Sequence, residues 1–351
     1  MPPAPISSET ALPTPSAASP RLDAAATAAR ARFRPDALSP EPRTRAERWL
    51  RTGLWVFVGT IVFSVLGTLW VQAFPETLPW FAAIGLPYER LVKGPTWTFM
   101  TLLPILPILA YWSTTPHRRL LFFALWGTLI GGLSEVVGTV SGLPFGIYSY
   151  TDWLGPKLFG HVPFFIPPSW FAMSILSLDL AQRLTASRLR QVLLVALFMV
   201  LWDVSLDPAM SRAFPFWHYP GAEAYAHLDL PAPLLWLVTT QYYGMPMSNW
   251  IGWFAVSAII AAGYVYLGGG LARASRYAPL VYALNGLFPV LIAALYANQY
   301  GLWPGVAVGL VATLVPLAML RAKGLPLWGP SDPPVATAHG ATAHGATDEA
   351  R

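Results

Sequence analysis

Asp203 and Asp207 lie four residues apart in LWDVSLDPAM, directly after the apolar run RQVLLVALFMV. On a helix that spacing puts both carboxyls on one face, with Cβ atoms within about 6 Å. Acids at membrane depth are costly, and they usually face a bundle interior or a water-filled cavity. Two of them that close in a low dielectric do not both ionise easily. One of the pair is therefore expected to hold its proton, which gives a carboxylic acid that donates beside a neighbour that accepts. The plainer alternatives are structural: Asp207, before Pro208, capping a helix end or turn, and Asp203 bonding a neighbouring helix. Glu135, in GGLSEVVGTVSG, is flanked by small residues that let helices approach, so it is expected to face protein rather than lipid and to join the site. Asp179 has Arg183 at i+4 and is read as an interfacial ion pair outside the site. Asp152, in SYTD, is a candidate replacement for either acid, with a loop N-cap as the duller reading.

Membrane spans must position these acids. The chain has 351 residues, 55% hydrophobic and 11% charged, with positive mean hydropathy, which is the composition of a polytopic membrane protein. Eight apolar segments of near-spanning length are read at 54–73, 97–113, 119–141, 164–182, 189–206, 250–270, 278–297 and 302–321. Pro104 and Pro107 in the second, and Pro167 and Pro168 in the fourth, suggest kinked helices held by their neighbours. The expected fold is an all-α helical bundle of about eight transmembrane helices. Residues 1–46, rich in Ala, Pro, Ser and Arg, and residues 326–351, with the repeat ATAHGATAHGAT, are read as disordered tails around a membrane domain at 47–325.

Arginine and lysine test that count, because they favour cytoplasmic loops. Arg43, Arg45, Arg48 and Arg51 precede the first segment, Arg118 and Arg119 follow the second, and Arg183, Arg188 and Arg190 follow the fourth. Arg273 and Arg276 follow the sixth, and Arg321 and Lys323 follow the eighth. The opposite side carries Arg90, Lys93, Lys157 and Arg212. Both termini are therefore expected in the cytoplasm, in a protein of the bacterial cytoplasmic (inner) membrane. Glu135, Asp203 and Asp207 then lie toward the outer side, covered by two long loops, 143–163 and 208–249. These carry GLPFGIYSYTDWLGP, FPFWHYPG and QYYGMPMSNWIGW.

Absences narrow the chemistry. The chain has no cysteine, which excludes disulfides, thiolate nucleophiles and cysteine-ligated iron–sulfur clusters. All six histidines (His117, His161, His218, His227, His339, His344) fall in loops or tails, without an HxxxH or HxxHH box for a di-iron oxygenase. No dinucleotide fingerprint, phosphate loop or nucleophile elbow is present. The net charge of +5 sits between apolar runs rather than on one basic face, so nucleic acid is not expected as a partner. No metal and no cofactor is expected. Acid–base chemistry on an apolar substrate remains. An aromatic pocket suits protonation of an unactivated alkene, since ring faces stabilise a developing cation while a carboxylic acid supplies the proton. Tyr148, Tyr150, Trp170, Trp202 and Trp253 are the candidate aromatic contacts.

GLPFGIYSYTDWLGPKLFGHVPFFIPPSW with Glu135 upstream, then WDVSLDPAM, then YYGMPMSNWIGWF, resembles the CruF-type carotenoid 1,2-hydratases, a family that includes bisanhydrobacterioruberin hydratase. The likeness is strong over about 120–255 and rests elsewhere on hydrophobic pattern. It implies a cofactor-independent hydro-lyase that adds water across the terminal C1–C2 double bond of a ψ-end group, giving a tertiary 1-hydroxy carotenoid. Its substrates would be γ-carotene-like or lycopene-like carotenoids, or C50 precursors. Membrane lipids and other carotenoid biosynthesis enzymes are the expected neighbours. In this reading Asp203 and Asp207 supply the proton, Glu135 positions water, and Asn249 with Tyr148 or Tyr150 hydrogen-bonds the site. Two other readings compete: a transporter or lipid-binding protein using the acids as a proton relay, which inverted repeats would favour, and a prenyltransferase suggested by DVSLD. The latter would need a second Asp-rich motif, magnesium and basic diphosphate contacts.

Overall fold

The structure, a computed structural model, describes residues 44–225, 227, 229–325 and 327. The tails read from the sequence, with His339 and His344, lie outside the described residues except for Thr44–Ala46 and Leu327. Eight long helices make the body: α1 (Arg45–Ala73), α3 (Tyr88–Tyr111), α4 (His117–Ser141), α5 (Ile166–Leu184), α6 (Arg188–Pro208), α8 (Met247–Ala262), α9 (Ala278–Leu295) and α11 (Trp303–Ala322). Shorter helices α2 (Leu78–Ala83), α7 (Ala232–Thr239) and α10 (Ala297–Tyr300) lie in the connections. Each of the eight apolar segments falls on one long helix. Among the described residues, α1, α4, α6, α8, α9 and α11 are long and apolar enough to cross a membrane, with α6 and α8 each extended by a π turn. The remaining two carry charge: α3 opens on Glu89, Arg90 and Lys93, and the 19-residue α5 contains Asp179 and Arg183. The protein is an all-α polytopic bundle, integral to the membrane.

Local signals explain the ends. α1 starts on Thr44, whose hydroxyl accepts from the Glu47 amide at 3.1 Å, the usual way to satisfy a first-turn donor. α1 thus begins two residues before the boundary expected at 47. Pro95, Pro104 and Pro107 are inside α3. Pro167 and Pro168, expected to kink a helix, instead open α5, where a missing N–H costs nothing and the fixed φ suits the first turn.

α5 is the axis of the bundle. Every residue from Ser169 to Ala181 is buried, as expected for a helix enclosed on all sides. α4 packs on it through a glycine stripe. A Cβ on Gly127 would meet the Phe171 backbone at 2.9 Å, and one on Gly131 would meet the Trp170 ring at 2.3 Å. Asp179 and Arg183 do pair, at 2.6 Å, but inside the bundle rather than at an interface. The carboxylate also accepts from the Tyr111 hydroxyl at 2.8 Å and the Ser275 amide at 2.6 Å.

The basic ends gather together. Arg276 bonds Glu47 at the start of α1, Arg119 donates to the Gly270 carbonyl and Arg183 to that of Ser275. Alternation along the chain therefore brings the other ends of the helices, with the two long loops, to the opposite face. Three two-residue ribbons order those loops: β1 (Ser149–Tyr150) with β4 (Trp217–His218), β2 (Lys157–Leu158) with β3 (Val162–Pro163), and β5 (Gln241–Tyr242) with β6 (Met245–Pro246). His117 opens α4 and His218 lies in β4, so these two histidines belong to regular elements, not loops as the sequence suggested.

Candidate active site

The β1–β4 ribbon sits over the acids. Ser149 pairs with His218 and Tyr150 with Trp217; the same antiparallel register, carried one pair further, sets Tyr148 opposite Tyr219. Side chains alternate across a strand. Ser149 and His218 accordingly face solvent, while Tyr148, Tyr150, Trp217 and Tyr219 share the inner face. Their rings touch in sequence, with centroids 5.6 Å apart for Tyr148–Tyr150, 5.8 Å for Tyr148–Tyr219 and 6.1 Å for Tyr150–Trp217.

Beneath this face lies Glu135, buried on the glycine-lined side of α4. Its Oε2 accepts from the hydroxyls of Tyr148 and Tyr150, the latter at 2.8 Å, and its Oε1 from the Trp170 indole at 3.0 Å. Gly131, one turn earlier on α4, leaves the room that lets the Trp170 ring lie against that helix. Three of about four acceptor positions on the carboxyl are thus filled. Burial, and then the neighbouring Glu135, hold both phenols well above the ordinary tyrosine range, so they keep their protons and donate.

Asp203 and Asp207 share the inward face of α6, both buried. α6 continues through Pro208 into a π turn at Ala209–Ala213, so Asp207 caps no helix end. One amide joins the pair: Asn249 Nδ2, from the first turn of α8, donates to Asp203 Oδ2 at 3.0 Å and to Asp207 Oδ2 at 3.2 Å. None of the three acids is in an ion pair among the described residues, and no cluster of His, Cys, Asp or Glu there is grouped as metal ligands.

All three acids line one cavity of 640 Å³. Around them the wall is aromatic. Trp170 and Trp253 stack with centroids 4.0 Å apart, and Trp202 meets Trp253 edge-on at 5.9 Å. Trp202 spends its N–H on the Asn285 carbonyl at 3.2 Å, so it offers the cavity a ring and not a donor. Farther from the acids the lining turns apolar along α1 and α3, through Phe63, Leu66, Gly67, Val92 and Phe99, and reaches Phe288 on α9. Phe63, Leu66 and Trp70 are exposed on the outside of the bundle, so this limb reaches the side of the molecule. The cavity has a carboxyl-bearing end under the loops and an apolar end at the lateral surface.

Every residue singled out from the sequence for the site lies on this cavity: Glu135, Tyr148, Tyr150, Trp170, Trp202, Asp203, Asp207, Asn249 and Trp253. Asp152 does not. Its side chain is 91% exposed and pairs with Lys157 at 2.8 Å, which holds its carboxyl below the usual range, and the cap of that turn is Thr151. Trp217, Tyr219 and Asn285 also line the cavity and were not identified from the sequence. The signal was present for two of them: YSY and WHY each place aromatics at i and i+2, the period of a strand with one buried face.

Comparison with known proteins adds two findings. Residues 96–316 match the family model of carotenoid biosynthesis proteins. Over 233 residues the chain is 28% identical to the bisanhydrobacterioruberin hydratase of Haloarcula japonica, an alignment covering 64% of this chain and 70% of that protein. No solved structure matches it. Both findings bear out the resemblance carried by the motifs, and the matched region holds every residue of the acid cluster.

Proposed function

This chain belongs to the carotenoid biosynthesis protein family, and from that premise we propose that it is a carotenoid hydratase. It adds water to the terminal C1–C2 double bond of a ψ-end group and needs no cofactor. The observation that carries the proposal is the form of the cavity: three carboxyls without cationic partners among the described residues at the aromatic end, and an apolar limb running to the side of the bundle. A γ-carotene-like or lycopene-like substrate fits that polarity, its end group at the acids and its polyene in the apolar limb toward lipid. The name of the aligned relative supports the reaction class.

In the proposed reaction the Asp203/Asp207 pair gives a proton to C2, and the π electrons of C1=C2 form the new C–H bond. The cation left at C1 is tertiary, flanked by the Trp170–Trp253 stack and the Trp202 edge, where ring quadrupoles and the carboxylates stabilise it. Water then bonds to C1, giving the 1-hydroxy product. Glu135 fixes the Tyr148 and Tyr150 hydroxyls and the Trp170 ring at the cavity wall. The membrane domain at 47–325, cytoplasmic termini and a site opening on the outer side of a bacterial inner membrane complete the proposal, with lipids and other carotenoid biosynthesis enzymes as neighbours.

The test is expression in cells accumulating lycopene or γ-carotene, with pigments analysed by mass spectrometry and a parallel culture in ¹⁸O-water. A product heavier by one water and labelled from the solvent is expected. Unchanged pigment with folded protein in the membrane overturns the proposal.

A further inference from the structure

The ribbon's two strands differ in what their inner side chains do. Tyr148 and Tyr150 on the β1 side spend their hydroxyls on Glu135. Trp217 and Tyr219 on the β4 side spend nothing: the buried Trp217 Nε1 has no hydrogen-bond partner, and the Tyr219 hydroxyl makes none among the described residues. Both line the cavity. The Trp217 indole lies beside the Asp207 carboxyl without closing a direct bond of ordinary geometry. A donor near a carboxylate but not bonded to it is the arrangement that a bridging water completes, and a buried indole N–H left unpaired is unfavourable. Tyr219 also lies within the electrostatic reach of Asp207 and Asp203. Burial, and then those two acids, keep its phenol protonated, so it can both donate to and accept from water.

We infer that the β4 strand carries the water site: Trp217 Nε1 and Tyr219 Oη hold the nucleophilic water against Asp207, on the same inner face of the ribbon but beside the neighbouring strand from the one that caps Glu135. This rests on the hydration reading and assigns the water to residues other than Glu135. In the step, the water oxygen donates an electron pair to the C1 cation and forms the C–O bond. Its surplus proton passes to Asp207, which returns to the aspartate pair the proton given to C2. The sum is one water added, with both acids restored. Tyr219 and Trp217 would hold the water while the cation exists, and so decide between its two fates, capture by water or loss of a proton back to alkene.

That choice gives a readout that a merely structural role does not move. The wild-type chain and the variants Tyr219→Phe and Trp217→Phe, which keep an aromatic ring at each position and lose the O–H or N–H, are assayed in D₂O with lycopene-loaded membranes. Mass spectrometry counts deuterium in recovered, unhydrated substrate against hydrated product. Each variant should form tenfold less hydrated product while still exchanging deuterium into the substrate, shifting the exchange-to-product ratio by tenfold or more. An unchanged ratio in the variants overturns the assignment. Loss of both product and exchange in a variant that folds also overturns it, since the residue would then serve protonation. A wild-type chain that neither hydrates nor exchanges brings down the hydration reading itself, an outcome distinct from either. Because the two variants are independent, one that folds is enough.

Discussion

Asn249 is the most economical place to test the acid pair, since one side-chain nitrogen serves both carboxyls. Its two bonds, 3.0 Å to Asp203 and 3.2 Å to Asp207, are the side-chain hydrogen bonds the aspartates receive among the described residues. When one acid gives up its proton, the carboxylate that develops gains a charge-assisted bond from Asn249, stronger than the bond to the neutral acid. Hydrogen bonds to charged groups contribute about 1.5–3 kcal/mol, against about 1 kcal/mol between neutral groups. Asn249→Leu keeps the volume and removes the donor, so the transition state for protonation loses about 0.5–2 kcal/mol of differential stabilisation and whatever pre-organisation the bridge gives the pair. At 1.36 kcal/mol per tenfold, kcat should fall roughly 2- to 30-fold. KM should hold, because the amide touches the acids and not the polyene limb. The assay is initial-rate formation of hydrated carotenoid in proteoliposomes over a range of substrate loading. A kcat within experimental error of wild type, in a variant with normal unfolding temperature, would refute the idea that the bridging amide supports the proton donor. A KM effect alone would move Asn249 from the acids to the substrate.

Other perturbations follow from the same geometry. Asp203→Asn preserves shape and the contact with Asn249, and should lower hydration by about 10²–10⁴-fold, the range for loss of a general acid; folded protein with normal turnover would exclude Asp203 as the donor. Gly131→Ala places a Cβ 2.3 Å from the Trp170 ring, so the indole must move off Glu135. Overpacking of about 1–3 kcal/mol, read as a lower unfolding temperature in detergent together with a changed Trp emission, is expected. Asp179→Asn removes one partner of the buried pair with Arg183 and should cost about 3–5 kcal/mol, while kcat of the folded fraction stays near wild type because the pair lies outside the cavity. Gly67 lines the apolar limb, and a Cβ there meets nothing within 4 Å. Gly67→Trp should therefore leave the unfolding temperature unchanged and raise KM for a long carotenoid severalfold, and an unaltered KM would mean the polyene lies elsewhere.

The acid cluster was legible in the sequence because two simple rules act on it. The i, i+4 spacing fixes Asp203 and Asp207 on one helix face whatever the tertiary fold, and alternation of basic loops fixes which helix ends meet, which brings Glu135 to the same end. The aspartates' shared donor was identified as a partner, but not its bridging geometry, since that depends on how far α8 is turned when it packs against α6. Trp217 and Tyr219 were missed for another reason. The i, i+2 aromatics of WHY are too short a stretch to assign a face by themselves, and they become a wall of the cavity only through pairing with YSY far earlier in the chain. Pro167 and Pro168 show the converse failure: inside an apolar run a proline pair reads as a kink, and only the turn at Phe165 makes it a helix start. Asp179 shows a third, because a charge near the end of an apolar run looks interfacial until the neighbouring Tyr111 and Ser275 enclose it.

The bundle buries carboxyls in two places and accommodates them in opposite ways, and the difference bears on function. Asp179 is surrounded by an arginine, a phenol and a backbone amide, so its charge is neutralised in place and it has nothing left to offer. Among the described residues, Glu135, Asp203 and Asp207 receive only neutral donors, from Tyr148, Tyr150, Trp170 and Asn249. An arginine here would settle the charge and quench the acid, and it would repel a carbocation forming a few ångströms away. Neutral donors orient the carboxyls without pairing them to a fixed positive charge, leaving an aromatic-walled end suited to a developing cation. The three acids lie at the loop end of the bundle, where the loops are ordered by two-residue ribbons and α6 runs into a π turn. Substituting Tyr148 and Tyr150 together with Phe should then do more than slow turnover: it strips Glu135 of both phenols and should release the ribbon, seen as faster amide exchange across 147–152 and 215–219. Exchange unchanged in that double variant would mean that packing of the four rings, and not the carboxyl beneath them, holds the ribbon in place.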